Sequence, residues 1–181
     1  WQTITVSTLL VGYAGYYLCR SNLSVAGPLL IAEYEPEGFG KEQLGFVFSS
    51  GVALYALGKL FNGVLCDRVG GRAMFLFGMC GSVVCTVSFG LAEGMAAFVT
   101  IWSLNRLVQS MGWGALVKVA SRWFPIHLHG TIMGVLALSY LFGDTLSRLF
   151  LGQLIALNFT WQQLFFVAAG VLGTIAVVSN F

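Results

Sequence analysis

The sequence predicts an all-α membrane protein in which six helices span a bilayer, and three observations carry that prediction. Composition is the first: the 181 residues are 57% hydrophobic and only 9% charged, with a mean hydropathy of +0.85. A soluble domain carries roughly 25% charged residues. Segmentation is the second: six apolar runs, each near the ~20 residues that a spanning helix needs, are separated by short polar connections. The third is the sorting of charge between those connections: one is rich in acids and two are basic, which the positive-inside rule turns into an orientation.

The first run covers residues 4–31, and an acidic loop with Glu33, Glu35, Glu37 and Glu42 follows it, Lys41 being its single base. The second run, 43–65, leads into a loop with Arg68 and Arg72. The third, 73–92, carries no charge, and the fourth, 96–121, leads into Arg122, His127 and His129. The fifth and sixth runs cover 130–156 and 161–180. With the two basic loops in the cytoplasm and the acidic loop outside, both chain ends fall on the cytoplasmic side. The expectation is a multi-pass protein of a plasma or bacterial inner membrane, with the lipid bilayer as its solvent.

Residues 1–181 form one transporter-like bundle on this reading, and 4–92 and 96–180 are expected to be two three-helix repeats. The first run is too long for a signal peptide and lacks a small-residue cleavage site. The chain starts at Trp1 without a Met and stops at Phe181 inside an apolar run, so it is expected to be a piece of a longer protein. A formal charge of +2 indicates no nucleic-acid partner. Cys19, Cys66, Cys80 and Cys85 have neither metal-ligand nor disulfide spacing and read as small buried hydrophobes. No metal and no cofactor is expected. The sequons at Asn22 and Asn158 lie in or hard against the membrane and read as chance.

Six ionisable residues fall within the runs: Arg20, Lys59, Arg106, Lys118, Asp144 and Arg148. Lys118 lies close enough to a helix end to snorkel, and reads as an interfacial anchor. Arg20, Arg106 and Asp144 fall roughly 15–18 Å from the outer helix ends at 1.5 Å per residue, near the middle of a core ~30 Å thick. An intramembrane charge is a functional-site candidate by default. Tyr13, Tyr17 and Arg20 share one helical face at i, i+4 and i+7; Tyr55 and Lys59 share another; Arg106, Gln109 and Trp113 a third; Tyr140, Asp144 and Arg148 a fourth. The four helices with polar stripes are expected to line a path, and the uncharged third and sixth to face lipid or pack outside. Asp144 has two possible partners, Arg106 across helices or Arg148 one turn along, for internal neutralisation or for coupling. Arg20 and Lys59 have no carboxylate nearby in sequence, so a small anion is the expected ligand. Gly12, Gly15, Gly78 and Gly81 suit close helix approach.

Between the second and third runs stands GVLCDRVGGR, residues 63–72. Gly63 is expected to let helices approach, Gly70 to make a tight turn, and Asp67, with Arg68 and Arg72, to form charge-assisted bonds between helix ends. The string closely resembles the G-x-L-x-D-R-x-G-x-R signature loop of the major facilitator superfamily. Within that superfamily, GYYLCRSNLSVAGP, YALGKLFNGVLCDR and LNRLVQSMGWGALVKVASRWFP resemble the organophosphate:phosphate antiporters, the glycerol-phosphate and hexose-phosphate carriers. The resemblance covers nearly the whole chain. It implies the N-terminal six helices of a twelve-helix carrier, with the C-terminal six-helix half as the missing partner.

By that resemblance, Arg20 binds the phosphoryl group and Lys59 adds charge. Tyr13, Tyr17, Tyr55, Gln109, Trp113 and Tyr140 fall at cavity positions, and phosphate esters and inorganic phosphate are the exchanged substrates. Four departures stand out: Ser21 replaces the Lys of the glycerol-phosphate carriers, Tyr140 their fifth-helix His, Gly114 a Pro, and Arg106 a small residue. Arg-x-Asn-Leu-Ser-x-Ala also resembles the anion:cation symporters of the same superfamily, which are the alternative. Among other classes, an intramembrane enzyme lacks its motifs here. A channel lacks a ring of like charges or a filter loop.

Overall fold

The computed structural model describes residues 2–179. Seven α-helices make up almost all of it: α1 (Gln2–Tyr34), α2 (Lys41–Val69), α3 (Gly71–Gly90), α4 (Met95–Gln109), α5 (Met111–Trp123), α6 (His129–Ala156) and α7 (Trp161–Val178). Single 3-10 turns at Glu35–Glu37 and Ile126–Leu128 precede α2 and α6. The all-α fold of six apolar rods agrees with the sequence reading, α4 and α5 together forming the fourth rod. Residues 180 and 181, the end of the sixth run, lie outside the described residues.

Four helices are long and apolar enough to cross a membrane by length and composition alone: α2, α3, α6 with its leading turn, and α7. The other two rods fall short for a physical reason. Rod one is interrupted in its middle by Tyr13, Tyr16, Tyr17, Arg20, Ser21, Asn22 and Ser24. Rod four is divided at Ser110, whose N–H is shared between Arg106 O (3.2 Å) and Leu107 O (3.3 Å). Ser110 Oγ donates to Leu107 O (2.7 Å), and Asn62 Nδ2 from α2 donates to Ser110 Oγ (2.7 Å). The break is therefore stitched to the neighbouring helix, which satisfies the polar groups that an apolar solvent would leave unpaired.

α1 packs on α6 and α7, α2 on α4 and α5, and α3 on α4, α5 and α7. Glycines let neighbouring helices approach closely, Gly143 and Gly58 among them. A Cβ on Gly143 of α6 would come within 2.8 Å of Ala14 Cα on α1. One on Gly58 of α2 would collide with Ser110 Oγ and come within 2.9 Å of the Leu107 side chain. Gly12, Gly15, Gly78 and Gly81 also meet a neighbouring helix, as expected. Gly63 does not: a Cβ there would meet nothing within 4 Å, so its expected packing role is corrected to Gly58, five residues earlier. Gly70 does make the tight turn, at φ +94°, where an L side chain is strained.

α3 and α7 bury a larger share of their spanning residues than α2 and α6 do, because they pack against each other and against α1. The charged helices α2 and α6 are the ones left open along one side. At the acidic-loop end, Phe89, Phe98, Trp102, Trp161 and Phe165 pack together, Phe89 and Phe165 stacked at 4.6 Å. Glu33 clasps this end by accepting from Trp161 Nε1 (2.9 Å) and Gln162 Nε2 (3.2 Å). Cys19 and Cys66 are buried as expected, but Cys80 is exposed and Cys85 half-buried.

Candidate functional site

Four helices bring one polar group together. α1 supplies Tyr13, Tyr17 and Arg20; α2 supplies Tyr55 and Lys59; α4 supplies Arg106 and Gln109; α5 supplies Trp113. Arg20 Nε donates to Gln109 Oε1 (3.1 Å) and Nη1 to Tyr17 OH (3.2 Å). Its guanidinium carbon lies 4.7 Å from the Tyr17 ring centre and 5.0 Å from that of Tyr55. Its third nitrogen, Nη2, is buried without a hydrogen-bond partner. A buried donor left unpaired costs about 1–3 kcal/mol, more for a charged group, so this one marks where a ligand acceptor would be stabilised.

Tyr55 is a shared platform. Lys59 Nζ and the Arg106 guanidinium carbon each lie 4.9 Å from its ring centre. A cation over an aromatic face gains about 0.5–2 kcal/mol, but the ring carries no net charge and cancels none of theirs. Arg106 Nη1 also donates to Gln109 Oε1, at 3.4 Å. Tyr13 is buried against Tyr17 (5.8 Å between centres) and Trp113 (5.4 Å), so it backs the group instead of opening onto it.

Gln109 is held by a buried layer behind it. Its Nε2 lies 2.9 Å from Ser82 Oγ, 3.0 Å from Asn105 Oδ1 and 3.2 Å from Cys19 O. Asn105 Oδ1 also accepts from Ser82 Oγ (2.8 Å), and its Nδ2 reaches Thr86 Oγ1 (3.3 Å). With its nitrogen turned inward, the amide presents its oxygen to both arginines. The sequence reading missed Ser82, Thr86 and Asn105. The available signal was Asn105 and Gln109 at i, i+4, on the same face of one helix.

Asp144 resolves to Arg148, not Arg106. Its Oδ2 accepts from Arg148 Nε (2.9 Å), and its Oδ1 accepts from Ser21 Oγ of α1 (2.6 Å). Arg106, expected in an internal charge network with Asp144 and Arg148, instead joins Arg20 and Lys59. Helix geometry explains the change: α6 packs on α1, not on α4. Ser21 keeps Asp144 one residue from Arg20 along α1. Tyr140, one turn before Asp144, is 43% exposed.

At the basic end, Asp67 Oδ1 accepts from Lys118 Nζ at 2.5 Å. Lys118, read as an interfacial anchor, is the partner of the signature-loop aspartate, and the pair ties α2 to α5. Arg68 and Arg72 are exposed beside it.

Residues 9–180 match the family profile described as the Major Facilitator Superfamily. Similar curated proteins include a probable hexose phosphate transport protein of Chlamydia trachomatis, 27% identical over all of this chain. They also include the glycerol-3-phosphate transporter of Bacillus subtilis, 29% identical over 96% of it, and a D-galactonate transporter of Escherichia coli, 26% identical over 93%. In each case the chain spans 38% of the relative's length. The six-rod fold, the signature loop and a family match over nearly every residue agree: the chain belongs to the major facilitator superfamily and has the fold of its N-terminal half.

Proposed function

We propose that this chain is the N-terminal half of a carrier that moves small phosphate esters across a membrane, in exchange for inorganic phosphate. The observation that carries this reading is the Arg20 group: three cations over one phenol ring, one of them with a buried, unpartnered N–H. Two relatives named for hexose phosphate and glycerol 3-phosphate support the choice of anion. Arg20 offers the phosphoryl group parallel N–H donors, and Lys59 a point charge. Gln109 orients Arg20, while Tyr17 and Tyr55 wall the site. An empty site leaves like charges facing one another. At an effective dielectric of ~20, two cations ~6 Å apart repel by roughly 3 kcal/mol. Refilling by a second anion relieves that repulsion, which favours exchange over net movement.

In this reading the missing half closes the open side of α2 and α6, and the two halves rock about the site. Residues 4–92 and 96–180 act as the two repeats; the pairing of α1 with α6 and of α2 with α4, alongside that of α3 with α7, is the pattern their exchange would produce. Gly63, Asp67, Arg68, Gly70 and Arg72 act as the gate, through an Asp67–Lys118 pair that forms in one state and opens in the other. A second reading has its own observation. Asp144 is hydrogen-bonded to Ser21, next to Arg20, and a titrating carboxylate there would couple protons to an organic anion. The D-galactonate relative is of that substrate kind.

The test is uptake of labelled phosphate by proteoliposomes that contain the full-length protein and are loaded with phosphate esters. Exchange that needs an internal ester, and is indifferent to a proton gradient, supports antiport. Uptake into ester-free vesicles driven by a proton gradient supports the second reading. For orientation, a cysteine at Glu37 in a cysteine-free background is expected to react with an impermeant maleimide from outside only. Labelling from the cytoplasmic side would invert the topology.

A further inference from the structure

α3 and α7 pack on each other, but small residues keep their seam from closing along its whole length. A Cβ on Gly173 of α7 would come no closer than 4.0 Å to Val83 of α3. The result is a groove of about 310 Å³, lined by Leu76, Cys80 and Val84 of α3 and by Gly173, Ala176 and Val177 of α7. No charged side chain is among the residues that line it. A second cavity, of about 360 Å³, opens at the basic-loop end between the Gly70 turn and the end of α5. Arg72 and Arg122 line it together with Ala73 and Leu76, and no acid does. Leu76 stands in both walls, so the basic cavity runs on into the apolar groove.

Depth says what such a shape would hold. α3 has 20 residues, about 30 Å at 1.5 Å per residue, which matches a hydrocarbon core of ~30 Å. Arg72 is the second residue of α3 and Arg122 the penultimate residue of α5, so both sit at the membrane boundary. Leu76, Cys80 and Val84 follow Arg72 on one face of α3, roughly 6, 12 and 18 Å further in. One leaflet is about 15 Å of that core. Two guanidinium groups at headgroup level therefore stand over an apolar groove one leaflet deep. A soluble anion would use only the basic end of this shape, and an apolar solute only the groove.

We propose that Arg72, Arg122 and the groove between α3 and α7 form a binding site for an anionic phospholipid. The two arginines take the headgroup phosphate, to which each offers a planar fork of donors, and one acyl chain lies against Leu76, Cys80 and Gly173. Anionic lipid is preferred because a zwitterionic headgroup would bring its ammonium back beside two cations, whereas basic pockets between helix ends suit a headgroup of net negative charge. The site shares no residue with the Arg20 group and does not depend on what that group carries. A headgroup held there would tie α3 to α5 beside the Asp67–Lys118 pair.

The test is native mass spectrometry of the full-length protein, taken from vesicles of equal parts phosphatidylglycerol and phosphatidylcholine with matched acyl chains. The expected result is at least a fivefold excess of retained phosphatidylglycerol. Arg122→Gln should reduce that excess at least threefold. Gly173→Leu, which has room for its side chain and fills the groove, should lower retained phosphatidylglycerol by a similar factor. Arg68→Gln removes an exposed charge from the same loop that does not line the cavity, and should leave the excess unchanged. Equal retention of the two lipids by the parent protein would overturn the proposal, a comparison that needs no variant to fold. An effect of Arg68→Gln as large as that of Arg122→Gln would overturn it in favour of diffuse surface charge. Loss in Arg122→Gln with none in Gly173→Leu would reduce the site to a contact for any free anion, and would overturn it as well.

Discussion

The helices α2 and α5 carry a cation that meets an acid at one end, and half-way along α2 and α4 the cations meet only rings and an amide. At the basic-loop end, Lys118 lies against Asp67. About 12 Å along α2 from there, at 1.5 Å per residue, Lys59 shares the Tyr55 ring with Arg20 and Arg106. The first arrangement is complete within this chain. The second is not: its charges are uncancelled, and Arg20 keeps a buried donor without an acceptor. A complete ion pair fits a latch between helix ends, and an incomplete cation cluster fits a site that a ligand completes. The supporting layers differ in the same way. Asp67 is largely exposed, whereas the Arg20 group is backed by the buried Gln109, Asn105, Ser82 and Thr86.

The comparison can be broken by substitutions at each end. The largest expected effect is at Arg20. Lysine keeps the charge but loses the parallel donors and the reach to Gln109 and Tyr17 together. Hydrogen bonds to charged groups are worth about 1.5–3 kcal/mol, so Arg20→Lys should weaken phosphate-ester binding roughly tenfold to a hundredfold, measured by equilibrium binding to the full-length protein. Parent affinity in that variant would make Arg20 structural and remove the main support for the anion site.

Lys59 is exposed and, among the described residues, is held by the Tyr55 ring, a contact that at such sites is worth about 0.5–1 kcal/mol. Lys59→Gln should therefore cost about twofold to fivefold in the same binding assay. A loss as large as that of Arg20→Lys would mean that the two cations contribute equally and that exposure is no guide here.

The smallest effect on binding is expected at the latch. Asp67→Asn removes the ion pair without touching the Arg20 group, so the transport rate should fall several-fold while equilibrium binding stays near that of the parent. Equal loss of both would place Asp67 in the fold or the site, and the contrast between the two ends would fail. Lys118→Gln should copy Asp67→Asn, and the double variant should be no worse than either single one, because each removes the same pair.

Membrane character, the six rods and the turn at Gly70 were legible in the chain, because hydropathy, loop charge and a glycine at positive φ are local properties. So were Arg20, Lys59, Tyr17, Tyr55 and Gln109 as residues of polar helical faces, since the 3.6-residue period needs no knowledge of neighbours. What each face meets is a different matter. Arg106 was as compatible with Asp144 as with Arg20 until α6 was seen to pack on α1 and α4 on α2. Lys118 found Asp67 fifty-one residues away, a separation over which no pattern speaks. Gly63 and Gly58 are the same residue type on one helix, and only the approach of Ser110 and Leu107 tells them apart. The sequence by itself determined which side chains carry charge and which way along a helix they lie. Tertiary structure decided which charges are cancelled, because cancellation depends on distances between helices, and those are set by packing across the bundle and not by position along it.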